Sequence, residues 1–83
     1  MKYINASTRA LVDFPPSGEP VPLYFQFQGC RFKIDRVVAT IPARKTFDNC
    51  MIYRCECRGG LLELRWDRDK DRWYIDKIEA SIL

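Results

Sequence analysis

The chain has 83 residues, of which 47% are hydrophobic and 30% charged, and its formal net charge is +3. This length allows one domain with one small core, and this hydrophobic content argues against a disordered chain. The sequence has no apolar run near the roughly 20 residues that span a bilayer, and the lack of histidine excludes Ser-His and Cys-His catalysis.

The first segment, Lys2 to Phe14, mixes β-branched, small and apolar residues. It stops at Pro15-Pro16-Ser17-Gly18, a run that favours a turn or loop. We expect one irregular strand before this run. A helix from Asn5 to Val12 is the alternative, since that stretch contains several good helix formers.

The next segment, Leu23 to Gln28, alternates strictly between apolar and polar residues, which is typical of a half-buried strand. A two-residue turn at Gln28-Gly29 would lead into a second strand from Cys30 to about Thr40. In that register the apolar residues of the two strands face each other: Phe27 with Cys30, Phe25 with Phe32, and Leu23 with Ile34.

The longest predicted connection is Ile41 to Asn49, which we expect to be an exposed loop. Alternation resumes at Cys50, and it predicts a core face made by Met51, Tyr53, Cys55 and Cys57. The strand should then reverse at Gly59-Gly60, where glycine tolerates positive φ.

The last two strands should be joined by a turn centred on Asp69-Lys70. This register predicts that Trp66 faces Trp73 and Leu64 faces Ile75 on the core side. It also pairs opposite charges, Asp67 with Arg72 and Arg68 with Asp71. The final residues, Glu79 to Leu83, fit either a helical turn or a frayed strand end.

Together these elements predict a single all-β domain over residues 1–83. We expect a small antiparallel meander of five to six strands that curls into an SH3-like barrel, with room for one short helix. An open sheet covered by an N-terminal helix is the main alternative.

The four cysteines are expected to be free thiols, because no secretory signal is recognised at the N-terminus and the protein is expected to be cytoplasmic. A zinc site is disfavoured because Cys55 and Cys57 lie within one strand. A calcium loop starting at Asp67 is disfavoured because Arg72 stands where that loop needs glycine. We therefore expect no cofactor and no metal.

Basic and tyrosine side chains share the predicted outward face, a combination that suits contact with a nucleic-acid backbone. The candidate contact residues are Tyr24, Arg31, Lys33, Arg54, Arg58, Arg65 and Tyr74. Four carboxylates are predicted on the same face: Asp35, Glu56, Glu63 and Asp76. An ordinary salt-bridged surface is therefore the competing interpretation.

The run Phe27 to Val37, followed by Tyr53 to Cys57, Leu62 to Leu64 and Asp71 to Tyr74, resembles a family of small uncharacterised bacterial β domains. The resemblance covers roughly residues 25 to 78. In some actinobacteria such domains look to be encoded near translesion DNA polymerase genes, which implies a nucleic-acid context. The matching positions are turns and core aromatics, so the resemblance implies a fold and transfers no functional residue.

No pair of carboxylates in an apolar setting is recognisable, so we expect no enzymatic activity. The sequence instead predicts a binding module that contacts nucleic acid through the basic face, without a membrane partner. The alternative is a protein-interaction module, including a homodimer formed through an exposed strand edge such as the N-terminal segment.

Overall fold

The computed structural model describes residues 2–16, 18–43 and 49–83. This part of the chain contains eight β-strands and a short 3₁₀ helix, and none of it is α-helical. The strands are β1 Lys2–Thr8, β2 Ala10–Asp13, β3 Val21–Phe27, β4 Cys30–Lys33, β5 Arg36–Ala43, β6 Cys50–Cys57, β7 Gly60–Asp67 and β8 Arg72–Ile78, and the 3₁₀ helix is Ala80–Ile82. The prediction of an all-β fold is confirmed.

The strands form two antiparallel sheets, one of five strands in the order β1-β8-β7-β6-β5 and one of three in the order β2-β3-β4. The chain passes between the sheets twice almost without a loop. It does so at Arg9, between β1 and β2, and at Ile34-Asp35, between β4 and β5. The predicted SH3-like barrel is not confirmed, because both bends end one hydrogen-bond ladder and begin another, so the two sheets do not close into a barrel. The described residues form eight strands rather than the predicted five to six, since the predicted strands Lys2 to Phe14 and Cys30 to about Thr40 are each divided between the two sheets.

The N-terminal segment is extended, as predicted, but it forms two strands in different sheets rather than one, and the alternative of a helix is wrong. β1 pairs with β8, and its partners include Ala6 with Ile75 and Thr8 with Trp73. The register shifts between Tyr3 and Ala6, which accounts for the expected irregularity. β1 and β2 are thus edge strands of the two sheets.

The hairpin between β3 and β4 has the predicted register. Gln28 and Gly29 form its turn with φ values of 52° and 79°, and Phe25 lies opposite Phe32. Leu23 departs from the prediction because the pairing with β2 shifts there, which buries Pro22 and leaves Leu23 40% exposed. Ile34 follows the end of β4, and its N–H still donates to the Leu23 carbonyl.

The turn between β6 and β7 lies one residue earlier than predicted. Its residues are Arg58 and Gly59, with φ values of 51° and 80°, and Cys57 pairs with Gly60. Gly60 already belongs to β7, where a Cβ atom would lie 2.7 Å from Cγ1 of Ile82. Gly60 is therefore required by close packing of the 3₁₀ helix rather than by the turn.

The hairpin between β7 and β8 also has the predicted register, with Trp66 opposite Trp73 and Asp67 opposite Arg72. The predicted charge pairs across it are wrong, because no such ion pair forms within the described residues. Arg68 instead pairs with Glu19 at 3.2 Å. Asp71 accepts a hydrogen bond from the Trp66 indole N–H at 3.0 Å.

The core lies between the two sheets and contains both tryptophans, as predicted. Their ring centroids are 6.2 Å apart, and Tyr53 lies 5.2 Å from Trp73. The buried residues of this core are Phe25, Phe32, Ile34, Tyr53, Cys55, Cys57, Leu62, Leu64, Trp66, Trp73, Ile75, Ile78 and Ile82. The 3₁₀ helix contributes Ile82, so of the two alternatives for the C-terminal residues the helical turn is the one that forms.

Only part of the predicted loop from Ile41 to Asn49 lies in the described chain. Ile41, Pro42 and Ala43 belong to β5 and pair with β6, so the loop begins later than predicted. Residues 44–48 lie outside the described residues. In the described chain, no helix has the length and apolar character needed to cross a membrane.

Candidate nucleic-acid interface

The outer surface of the three-stranded sheet carries the exposed cationic side chains of β4 beside a tyrosine of β3. We call this surface, with Arg9 at its edge, the small-sheet face. It is formed by Arg9, Leu11, Tyr24, Gln26, Arg31 and Lys33. Three of the seven predicted contact residues lie here: Tyr24, Arg31 and Lys33.

The turn at Gln28-Gly29 determines which side chains meet on this face. Because a two-residue turn fixes the register, Tyr24 lies directly opposite Lys33 and Gln26 opposite Arg31. Directly opposed residues of antiparallel strands project to the same side of a sheet. The Arg31 guanidinium lies 5.9 Å from the centroid of the Tyr24 ring, within the range of a cation–π contact.

Leu11 joins the face from β2, on the other side of β3. It lies opposite Tyr24, just before the register shift, and is 56% exposed. Its neighbour Val12 packs against the core. An apolar side chain is thus presented to solvent beside the tyrosine.

The bend between the sheets places Arg9 at the edge of this face. The Thr8 hydroxyl donates to the Gln26 carbonyl and accepts from the Gln26 N–H at 3.1 Å. The Arg9 carbonyl accepts a further hydrogen bond from the same N–H at 3.0 Å. These bonds hold the bend against β3, so that Arg9 lies beside Gln26.

The small-sheet face encloses an open depression with a volume of about 270 Å³. Its walls include Arg9 and Leu11 on one side and Arg31 on the other, with Tyr24 and Gln26 between them. A second depression adjoins it at Arg9 and Ala10. The face is therefore concave and partly apolar, and it is lined by cations.

The cations of the small-sheet face are not neutralised by any carboxylate of the described residues. Within the described part of the chain, neither Arg9, Arg31 nor Lys33 forms an ion pair. The strands of this sheet contain a single carboxylate, Asp13, which lies opposite Val21 at the end of β2. Unpaired cations around an aromatic ring suit binding of a polyanion that carries planar groups.

The outer face of the five-stranded sheet differs, because its arginines are paired. Arg54 contacts Glu63 at 3.1 Å and Arg65 contacts Asp76 at 3.0 Å. The Arg36–Glu56 pair adds a third contact on the neighbouring strands, at 2.6 Å. Three of the carboxylates predicted to accompany the basic face are thus bound to arginines of this sheet.

Arg65 is the clearest departure from the predicted site, since it is only 5% exposed. Its guanidinium lies 4.3 Å from the ring centroid of Tyr74, which is half-buried. Burial by itself lowers the pKa of Arg65, but hydrogen bonding and attraction to Asp76 outweigh it and raise the pKa. Arg65 and Tyr74 therefore belong to a buried cluster rather than to a contact surface, and their prediction as contacts is not supported.

Arg58 occupies a separate position in the turn between β6 and β7. Its guanidinium lies 5.6 Å from the ring centroid of Phe32, and its backbone N–H donates to the Asp35 carboxylate at 3.1 Å. Arg58 thus covers the edge of the core where β4 bends into β5. The seven predicted contact residues are divided among three places.

The thiols and the aspartate-rich hairpin show no metal-binding arrangement. Burial raises the pKa of both Cys55 and Cys57, which pack into the core. In the described residues, no group of three or more His, Cys, Asp or Glu side chains is placed to hold a metal. Asp67 and Asp71 are engaged by hydrogen bonds within their own hairpin.

Three residues of the small-sheet face are not among the predicted contacts: Arg9, Leu11 and Gln26. The predicted N-terminal strand runs through both Arg9 and Leu11 without a break, whereas the structure divides it at Arg9. The proline-rich turn signalled the end of β2, but no local signal marked the bend at Arg9. The bend depends on the hydrogen bonds that Thr8 and Arg9 form with the distant residue Gln26.

No family model, curated protein or solved structure matched this chain. The resemblance to small bacterial β domains therefore stays a prediction.

Proposed function

We propose that this chain is a non-enzymatic binding module that contacts nucleic acid through the small-sheet face. The supporting observation is that Arg9, Arg31 and Lys33 surround Tyr24 and have no ion-pair partner among the described residues. An unpaired cation can bind a nucleic-acid phosphate, and so release the counterions around that phosphate, without first breaking a contact within the protein. Paired arginines such as Arg54 would have to give up a carboxylate.

A salt titration with a fluorescent oligonucleotide tests this proposal. If three cations each contact one phosphate of a single strand, the slope of log K against log salt should be about −2. Lys33→Glu should weaken binding at low salt by about tenfold or more and make the slope shallower, since it replaces an attraction with a repulsion. A slope near zero for the parent protein would contradict the proposal.

Lys70→Glu is the matched control for that variant. Lys70 is exposed at the tip of the hairpin between β7 and β8, and the substitution makes the same change in net charge. It should leave most of the affinity in place if binding occurs on the small-sheet face. Equal losses for the two variants would mean that only net charge matters.

A second candidate function is self-association through the β5 edge of the five-stranded sheet. β5 is the last strand of this sheet, and Val38 and Leu61 line a depression of about 260 Å³ on its outer surface. Their side chains are 49% and 44% exposed. Unpaired edge strands beside apolar surface favour strand addition.

Analytical ultracentrifugation over a wide concentration range tests the second candidate. A dimer that Val38→Glu dissociates would support it. A monomer at every concentration would rule it out.

A further inference from the structure

The depression beside Tyr24 has the features of a seat for one nucleobase, an inference that rests on the proposed function. The guanidinium of Arg31 lies over the Tyr24 ring, 5.9 Å from its centroid, so the depression presents a planar cation together with an aromatic ring. Leu11, 56% exposed, forms an apolar wall on the opposite side of β3. Proteins that bind single strands stack bases on aromatic rings and on guanidinium planes.

Gln26 adds a polar group to the same depression. Its backbone is fixed by Thr8 and Arg9, whereas no described residue forms a hydrogen bond with its side-chain amide. An amide carries both a donor and an acceptor, as the edge of a base does. The depression therefore offers stacking surface and an edge partner together.

The shape of the face favours an unpaired strand over a duplex. A base within a duplex is stacked on both sides and has no free face to offer a protein side chain. Duplex bases are read by an element that enters a groove, whereas this face recedes into a depression of about 270 Å³. β2 and β4 have only four residues each, so the sheet is about 13 Å long here.

We propose that the small-sheet face binds single-stranded nucleic acid, with one base stacked against the Tyr24–Arg31 pair and the flanking phosphates held by Arg9 and Lys33. Lys33 lies opposite Tyr24 on β4, and Arg9 lies at the other edge of the sheet, so cations flank the seat on both sides. The adjoining depression extends past Arg9 toward Arg72 and the exposed Phe14. It gives the strand a continuation around the bend.

Three probes of equal length separate stacking from phosphate contact: a 12-nucleotide oligothymidine, an abasic 12-mer of the same charge, and a 12-base-pair duplex. At low salt the oligothymidine should bind about tenfold more tightly than the abasic strand, because stacking one base adds that much affinity. It should also bind more tightly than the duplex.

Two variants assign the preference to the seat. Arg31→Lys keeps the charge and removes the planar group, so it should reduce the preference for oligothymidine over the abasic strand several-fold. Tyr24→Ala should reduce it further, whereas Tyr24→Phe should retain it. Lys33→Gln should weaken both single strands by the same factor. Because Arg31 is exposed, Arg31→Lys provides the test if Tyr24→Ala fails to fold.

The outcomes distinguish this inference from the proposed function. Equal, salt-dependent affinities for oligothymidine and abasic strand would overturn the base seat while leaving nucleic-acid binding in place. A duplex that binds as tightly as oligothymidine would overturn the single-strand preference. No binding to any of the probes at low salt would overturn both proposals.

Discussion

Arg65 and Asp76 form a buried ion pair joined by two hydrogen bonds, Nε to Oδ2 at 3.0 Å and Nη2 to Oδ1 at 3.2 Å. Both side chains are less than a tenth exposed. This pair joins β7 to β8 on the outer side of the five-stranded sheet. It also withdraws Arg65 from the surface on which the sequence placed it.

Removing the charge of Asp76 should destabilise the fold strongly. Asp76→Asn keeps the shape of the side chain but leaves the Arg65 cation without its counterion, which typically costs about 3 kcal/mol. Urea denaturation measures the free energy of unfolding. Glu63→Gln is the control, since its partner Arg54 is largely exposed and the loss should stay below about 1 kcal/mol. Losses of equal size would contradict the importance of burial.

The hydroxyl of Tyr53 should be dispensable for stability. Tyr53 is 1% exposed, and its oxygen has no hydrogen-bond partner among the described residues. Because an unsatisfied buried hydroxyl carries a desolvation cost, Tyr53→Phe should raise the free energy of unfolding by about 1 kcal/mol. Tyr24→Phe, on the solvent-facing side of the small sheet, should change it much less. A destabilised Tyr53→Phe protein would show that the hydroxyl is bonded in solution.

Stability should fall as the pH rises above 9. Burial raises the pKa of Cys55 from 9.0 to about 12 and that of Tyr53 from 10.0 to about 12. The unfolded chain therefore releases these protons at lower pH than the folded protein does. Because the folded state then binds more protons, the free energy of unfolding decreases with pH between 9 and 12.

Cys55→Val tests this dependence, since valine does not titrate. The slope of the free energy of unfolding against pH should become shallower but should not vanish, because burial also raises the pKa of the Cys50 and Cys57 thiols. Denaturation at pH 7 gives the packing cost of the substitution separately. An unchanged slope would show that the Cys55 thiol does not retain its proton in the folded state.

Adding a methyl group at Gly60 should destabilise the protein by about 2 kcal/mol. Its Cβ would lie 2.7 Å from both Cγ1 of Ile82 and Oγ of Ser81, which belong to the 3₁₀ helix. Ile82→Ala removes one of these obstacles, so the cost of Gly60→Ala should be smaller in that background. Thermal denaturation of the four proteins in this double-mutant cycle measures the coupling.

Gly59 gives a matched contrast for that cycle. It has φ 80° and no atom within 4 Å of the Cβ position, so Gly59→Ala suffers from backbone strain rather than from a clash. Ile82→Ala should not relieve it, whereas Gly59→Asn should cost less than Gly59→Ala because asparagine tolerates this conformation. Rescue of Gly59→Ala by Ile82→Ala would contradict the distinction.

The sequence by itself determined the all-β class and the register of most hairpins, but not that two of the predicted strands are each divided between the two sheets. Alternation identified the core faces of β6 and β7, and the turns at Gln28-Gly29 and Asp69-Lys70 fixed the two hairpin registers. These features are local, since period-two patterning and turn chemistry depend on residues close together in the chain. The turn predicted at Gly59-Gly60 lies one residue earlier in the structure, because either of the two adjacent glycines can adopt the positive φ that a turn needs. Contact with Ile82 decided between them.

Only the tertiary structure decided which outward-facing side chains share a surface. The alternation of side chains along a strand places Arg31 and Arg65 on the outer side of their strands. It does not show that β4 and β7 belong to different sheets. The bends at Arg9 and Ile34-Asp35 make that division, and they depend on hydrogen bonds to residues distant in sequence. As a result Arg65 pairs with Asp76 in a buried cluster, while Arg31 lies beside Tyr24 and has no ion-pair partner in the described part of the chain. Contacts between distant parts of the chain, which no local pattern encodes, therefore determine which cations are available to a ligand.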